Sequence, residues 1–322
     1  MAVKRVFGSR FFTLFIRRVA PLIAMMRNAP VLPGIAATIR IGTFSRSVAL
    51  APYLIAREKK WFEEAAQKQN AKVEYAEFQS LAAINEAFAA DKIDVVFEAE
   101  IPAIAGKAAG IDVKIKGVSA DETQGILVPK NSTIQNMRDL KGKKIAVLAG
   151  TGSHYLLLKI LKKNGLTARD AEILDMSLLE AKAAFESGKV DVWSVWPPFP
   201  EHEEIAGKGR ILDLQGEDLF VQVIIAVRGG FARRRPRLLE DFLQVIRKTQ
   251  NWTAANPEES QSIVAQGIGL DREVVKKAWL RHNFQPVIKE KEIADIQAKA
   301  DFLYDQKFIK NKVDVAKSLV DL

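Results

Sequence analysis

The sequence predicts an α/β protein built from two similar lobes, and three observations carry that expectation. Strand-like and helix-like patterns alternate along the chain, which predicts mainly parallel sheets with helices on their faces. "IGTFS" at 41–45 and "AGTGS" at 149–153 both place Gly-Thr-x-Ser after a strand and before a helix. "SLAAINEAFAADKIDVV" from Ser80 and "SLLEAKAAFESGKVDVW" from Ser177 share Ser, Leu, Ala-Phe, Lys and Asp-Val at a constant offset of 97.

The elements follow in order. "TIRIGTF" reads as a strand, "YLIAREKKWFEEA" as one helix, "AKVEYAEF" as a strand, residues 81–90 as a helix and "KIDVVFE" as a strand. Further on, Lys144 to Leu148 is a short apolar run suited to a buried strand. Tyr155, Leu156, Leu158, Ile160 and Leu161 then recur at helical spacing until Gly165, with Thr151 or Ser153 as the N-cap. The turn between them has no P-loop lysine and no third dinucleotide-type glycine, so both phosphate fingerprints fail. What it offers is free backbone N–H groups, a partial positive charge and hydroxyls, which suit a small anion.

Composition narrows the function classes. The chain has 322 residues, 48% hydrophobic and 27% charged, ordinary values for a globular chain of about two domains. With no cysteine, disulfides, thiolate metal sites and cysteine nucleophiles are excluded. Of the net charge of +9, six positive charges fall in the first 37 residues as Lys4, Arg5, Arg10, Arg17, Arg18 and Arg27 with no acid, so the body is only mildly basic. No basic helix is interleaved with aromatics, which argues against nucleic acid as a partner, and "ARRRPR" at 232–237 reads as a solvated turn before a helix begun by Pro236.

Residues 1–37 read as a leader. "FFTLFI" and "VAPLIAMM" are split by Arg17 and Arg18, and neither reaches the roughly 20 residues of a membrane span. "VLPGIAA" ends in small residues as a cleavage region does, so the first reading is an irregular secretory signal. A mis-chosen start, an interfacial anchor and a basic tail are the alternatives.

In open α/β sheets ligands lie beyond the carboxyl ends of the strands. Two facing lobes would bring four such ends to one cleft: Thr43 to Arg46, Phe97 to Glu100, Thr151 to Tyr155 and Trp193 to Phe199. Ser45 and Ser153, with Thr43 and Thr151, are the expected anion contacts, although capping alone would explain any one of them. Arg46 could add a bidentate bond to an acid, or be an exposed loop arginine. His154, at a helix start that discourages protonation, fits a neutral hydrogen-bonding role; His202 and His282 have no metal-ligand spacing and read as structural or surface residues. Trp193 and Trp196, three apart on a strand, point to opposite faces. Trp196 is the candidate cleft wall, and Phe199 either lines the same wall or packs behind it. Glu98 is unexpected beside an anion site, and it either faces solvent or meets a positive group on a zwitterionic ligand.

"NMRDLKGKKIAV", "GTGSHYLLLKILKKNGL", "FESGKVDVWSVWPPF" and "EIPAIAGKAAG" together resemble the solute-binding proteins of ABC importers for aliphatic sulfonates, taurine and nitrate, a group that includes thiamine-precursor binders. The resemblance runs from about residue 38 to the C-terminus. It implies a bilobal type II periplasmic-binding-protein fold with a two-strand hinge, lobe one at 38–127 and 222–322 and lobe two at 128–221, "FVQVIIAVRGG" being the returning strand. It also places a histidine at His154 and makes Glu100, before Ile101-Pro102, like the family's acidic cap. The implied function is a non-catalytic, monomeric receptor, free of cofactor and metal. It would capture a small organic anion such as an aliphatic sulfonate or a taurine-like compound outside the cytoplasm and present it to an inner-membrane permease. The alternatives are an enzyme on the same scaffold, lyase-like or decarboxylase-like, and a binder of nitrate or a thiamine precursor. The related enzymes depend on cysteine, and this chain has none. A transcription-regulator effector half would need a DNA-reading helix pair before residue 38, which the leader does not supply.

Overall fold

A computed structural model describes residues 37–44, 47–78, 81–213 and 220–322. The leader, apart from Ala37, and the site candidates Ser45 and Arg46 lie outside the described residues. The chain opens with strand β1 (Ala37–Phe44), a 3-10 turn at Val48–Leu50, helices α1 (Ala51–Glu58) and α2 (Trp61–Lys68), β2 (Ala71–Phe78), α3 (Leu81–Ala89), β3 (Val95–Ala99) and α4 (Glu100–Ala108). The single helix expected from "YLIAREKKWFEEA" is two helices. Lys60 takes a left-handed conformation with φ of 57°, which an α-helix cannot propagate through.

Long β4 (Val113–Thr123) is followed after one residue by β5 (Gly125–Pro129), then β6 (Lys144–Val147), α5 (Gly152–Lys163), β7 (Glu172–Asp175), α6 (Leu178–Glu186), β8 (Val192–Val195), α7 (Phe199–Ile205) and β9 (Gly209–Ile211). The chain continues through β10 (Phe220–Arg228), α8 (Gly229–Arg234), α9 (Pro236–Ala255), α10 (Pro257–Ile268), α11 (Arg272–Trp279), β11 (His282–Asn283) and α12 (Glu290–Asp305).

Among the described residues two sheets form, a six-stranded one ordered β11-β4-β10-β3-β1-β2 and a five-stranded one ordered β7-β6-β8-β5-β9. This is the bilobal type II fold. The sheets are mixed rather than mainly parallel. β1 with β3, and β6 with β7 and β8, run parallel, whereas β10 is antiparallel to β3 and β4, and β5 is antiparallel to β8 and β9. β4, β5, β9 and β10 flank the places where the chain changes sheet, between Thr123 and Gly125 and between Ile211 and Phe220, and the two-residue β11 also pairs antiparallel with β4. Strands of that kind carry no helical crossover, so the strand–helix alternation of the rest of the chain does not announce their direction.

The larger apolar cluster runs from Ile84 and Val96 through Ile224 to Ile145 and Leu157, so one buried core continues past β10 into the second sheet. A second cluster, containing Phe185, Trp193 and Val195, packs with α6 on the second sheet. At the N-terminal end of β3, buried Asp94 accepts from Arg40 Nε at 2.8 Å and from Arg228 Nη2, which fixes β1 and β10 to the same carboxylate. The opposite end of β3 carries Glu98 and is where the cleft lies.

Candidate functional site

The cleft is a pocket of about 550 Å3, counting its open mouth, within the range usual for small-molecule sites. Ser47, Leu50, Phe97, Glu98, Ala99, Pro102 and Glu122 line it from the first sheet and its helices, with Val221 and Val223 of β10; Thr151, Gly152 and Trp196 line it from the second, and Gln124 from the link between the sheets. Glu98, Thr151 and Trp196, from three separate stretches of sequence, therefore share one cavity. None of the described residues lining it is Lys, Arg or His.

On the second-sheet side the site is the start of α5. Thr151 is the N-cap, its hydroxyl accepting from the His154 amide at 3.4 Å and donating to the Leu148 carbonyl at 2.7 Å. The first amides of a helix have no partner inside it, so those of Gly152 and Ser153 are the donors this end can offer a ligand. Gly152 is required by packing: a Cβ there would stand 2.4 Å from Cγ2 of Val221. The Ser153 hydroxyl is turned away, donating to Oε1 of Gln124, and its carbonyl accepts from Ser194 at 3.1 Å.

His154 is buried, with Nδ1 accepting from the Gly150 amide at 3.3 Å and the ring edge-on to Phe308. Burial holds its pKa below the ordinary histidine value against the opposing pull of Asp175, which keeps it neutral, and its partners are the chain's own groups. Trp193 sits in the second-sheet core, while Trp196, just past the end of β8, faces the pocket. Phe199 packs edge-on behind Trp196 at 6.0 Å between ring centres and is not part of the lining.

On the first-sheet side, Thr43 is buried on β1 with its hydroxyl toward Tyr53 rather than the cavity. Glu98 is 3% exposed, both carboxylate oxygens are buried without a partner, and burial pushes its pKa up to about 8. Glu100 opens α4, but its carboxylate is turned from the pocket to wholly buried Lys299, which also holds Asp295 at 2.6 Å. Burial works against charge on Lys299, but the two carboxylates outweigh it and its pKa is raised.

Sequence reasoning missed Ser47, Glu122 and Gln124. The first helical turn of lobe one begins at Val48, capped by Ser47, which accepts from the Ala49 amide at 3.0 Å and donates to Glu122 Oε2 at 2.9 Å. Gln124 Nε2 donates to the other Glu122 oxygen at 3.0 Å, so the residue between the two sheets links Glu122 to Ser153. The available signal was "RSVALAP", a serine directly before an apolar helical run containing Pro52. "SADETQG" gives no comparable local cue.

A bilobal fold with a pocket between a helix start and a tryptophan is the architecture of a ligand-binding protein. The chain matches the family described as NMT1/THI5 like over residues 47–260 and belongs to it. It is 39% identical over 290 residues to a protein of Bacillus subtilis named for binding aliphatic sulfonates, covering 88% of this chain and 85% of that one. A protein of the same name from Escherichia coli is 31% identical over 255 residues, covering 77% and 79%. The alkanesulfonate-binding protein SsuA from Xanthomonas axonopodis pv. citri, solved bound to MOPS, superposes with a TM-score of 0.76 at 27% identity, covering 88% of this chain and 99% of that one.

Proposed function

We propose that this protein is the solute receptor of an ABC importer, capturing a small aliphatic sulfonate or taurine-like compound and handing it to a membrane permease from outside the cytoplasm. The observation that carries the reading is the pocket itself, in which the α5 start and Trp196 face lobe-one residues across β10. The sulfonate would sit on the Gly152 and Ser153 amides, where three equivalent oxygens can accept from donors that converge without a full counter-charge. Its carbon chain would lie against Trp196 and Val221. Lobe one would carry the six-stranded sheet and lobe two the five-stranded one, which moves the boundaries expected at 127/128 and 221/222 to the crossings at Gln124 and before Phe220, with closure about those two crossings. The names of the relatives from B. subtilis and E. coli, and the MOPS held by the Xanthomonas protein, an alkanesulfonate itself, support the same ligand class.

The test is thermal unfolding with propane-1-sulfonate, taurine and nitrate. A ligand at 100 times its Kd stabilises the folded state by about 2.7 kcal/mol. A sulfonate-dependent rise in Tm is expected, and a flat response to both sulfonates overturns the proposal.

A further inference from the structure

We propose, resting on the receptor reading above, that the pocket selects sulfonates carrying a protonated amine, with the carboxylates of Glu98 and Glu122 receiving the ammonium group.

The first ground is the contrast among buried acids. Asp94 meets Arg40 and Arg228, Glu100 meets Lys299, and Glu203 meets Lys182. Glu98, two residues from Glu100 and also buried, meets no such group: both its oxygens are buried without a partner in a residue that lines the cavity. A buried carboxyl left without partners is destabilising, more so when charged, and an apolar side chain such as leucine would avoid that cost. The missing partner is one that a ligand can bring.

The second ground is Glu122. It is 5% exposed, lines the same cavity, and is held by two neutral donors, the Ser47 hydroxyl and the Gln124 amide. These bonds orient the carboxylate without neutralising it. His282 Nε2 lies 3.7 Å from Glu122 Oε2 and forms no hydrogen bond, while its Nδ1 pairs with the Ala278 carbonyl at 2.8 Å. Two acids on the first-sheet wall thus share the cavity with a helix start and Trp196 on the other, an aromatic ring being a surface that attracts a cation. A molecule complementary to both walls is positive at one end and negative at the other.

The proton balance supplies a signature. Burial keeps Glu98 protonated in the empty pocket near neutral pH. An arriving ammonium stabilises the carboxylate, so the Glu98 proton leaves to the buffer as the ion pair forms. A sulfonate without an amine releases none.

Calorimetric titration of the full chain with taurine and with propane-1-sulfonate, which replaces the amine by a methyl group, tests this in two buffers of different ionisation enthalpy. The expected result is at least tenfold tighter binding of taurine with release of a fraction of a proton, and no release with propane-1-sulfonate. In Glu98→Gln the release disappears and taurine loses at least tenfold, while propane-1-sulfonate changes by less than about threefold; Glu122→Gln shows the same selectivity loss. Equal affinities for both sulfonates without proton release in the unaltered protein overturn the amine subsite and leave the receptor reading standing. Binding of neither overturns both. The comparison in the unaltered protein holds whether or not either variant folds.

Discussion

Gly152 and Val221 meet where the first turn of α5 lies directly on β10, so closely that even a methyl group on Gly152 would fall 2.4 Å from a Val221 methyl carbon. The contact sets how near the helix amides come to β10. Gly152→Ala should push the helix start away and destabilise the protein by about 1–3 kcal/mol, the usual penalty for overpacking. Sulfonate affinity should fall as well. Pairing it with Val221→Ala, which makes room, should restore both; chemical denaturation and titration of the double variant read this out.

Glu98 makes stability depend on pH in a defined direction. Its carboxyl titrates at about 8 in the folded protein, against an ordinary value of 4.5, so the folded state holds the proton more tightly than the unfolded chain. Its contribution is fully present below the ordinary value and is lost as pH rises from about 4.5 through about 8. Glu98→Gln lacks this loss. The ligand-free variant should therefore gain on the unaltered protein by up to a few kcal/mol between pH 5 and pH 8.5, as measured by urea unfolding; parallel profiles for the two proteins would show that Glu98 is not protonated in the fold.

The Lys299 cluster is structural by its position. Its ammonium is inaccessible, bonded to Glu100 and Asp295, and ties α12 to the start of α4. Lys299→Met strands Glu100 and should cost about 3–5 kcal/mol. Adding Glu100→Gln should recover part of that loss, because the remaining buried group is then neutral. Denaturant midpoints of the single and double variants provide the comparison.

Trp196 is one of five tryptophans and the one that lines the cavity. Saturating sulfonate should change the intrinsic fluorescence, and Trp196→Phe should remove most of that change while keeping the fold. Trp196→Ala should weaken binding by about tenfold, near 1.4 kcal/mol. Stopped-flow and equilibrium fluorescence separate the two effects.

Much of this arrangement is legible in the sequence because it is local. "KIAVLAGTGSHYLLLKILKK" shows both the strand and the capped helix of β6–α5, whereas the strand spacing assumed for Trp193 and Trp196 does not apply, since β8 ends at Val195 and the two rings join one cluster, with Trp196 also lining the pocket. What is not legible comes from distant chain segments. Ser153 looks as available as Thr151 until Gln124, 29 residues away, takes its hydroxyl. Glu100 looks like an acid at the cleft until Lys299, 199 residues on, reaches it. Glu122 and Gln124 sit in "SADETQG", a polar run with the composition of an ordinary turn, although Glu122 is in β4 and only Gln124 lies between the sheets; with no apolar residue at the inward positions, the polarity hides which side chains face the cavity. The mixed strand directions escape prediction because the antiparallel strands carry no helical crossover to announce them.

The passage from β4 to β5 is only one residue long, and that residue, Gln124, grips Glu122 on one side and Ser153 on the other. On the proposed reading, a guest that draws on Glu122 would pull on the pivot itself rather than on a distant lever. Grip and swing would then be coupled through a single side chain, so that retuning what this molecule holds near Glu122 would also retune how readily it lets go.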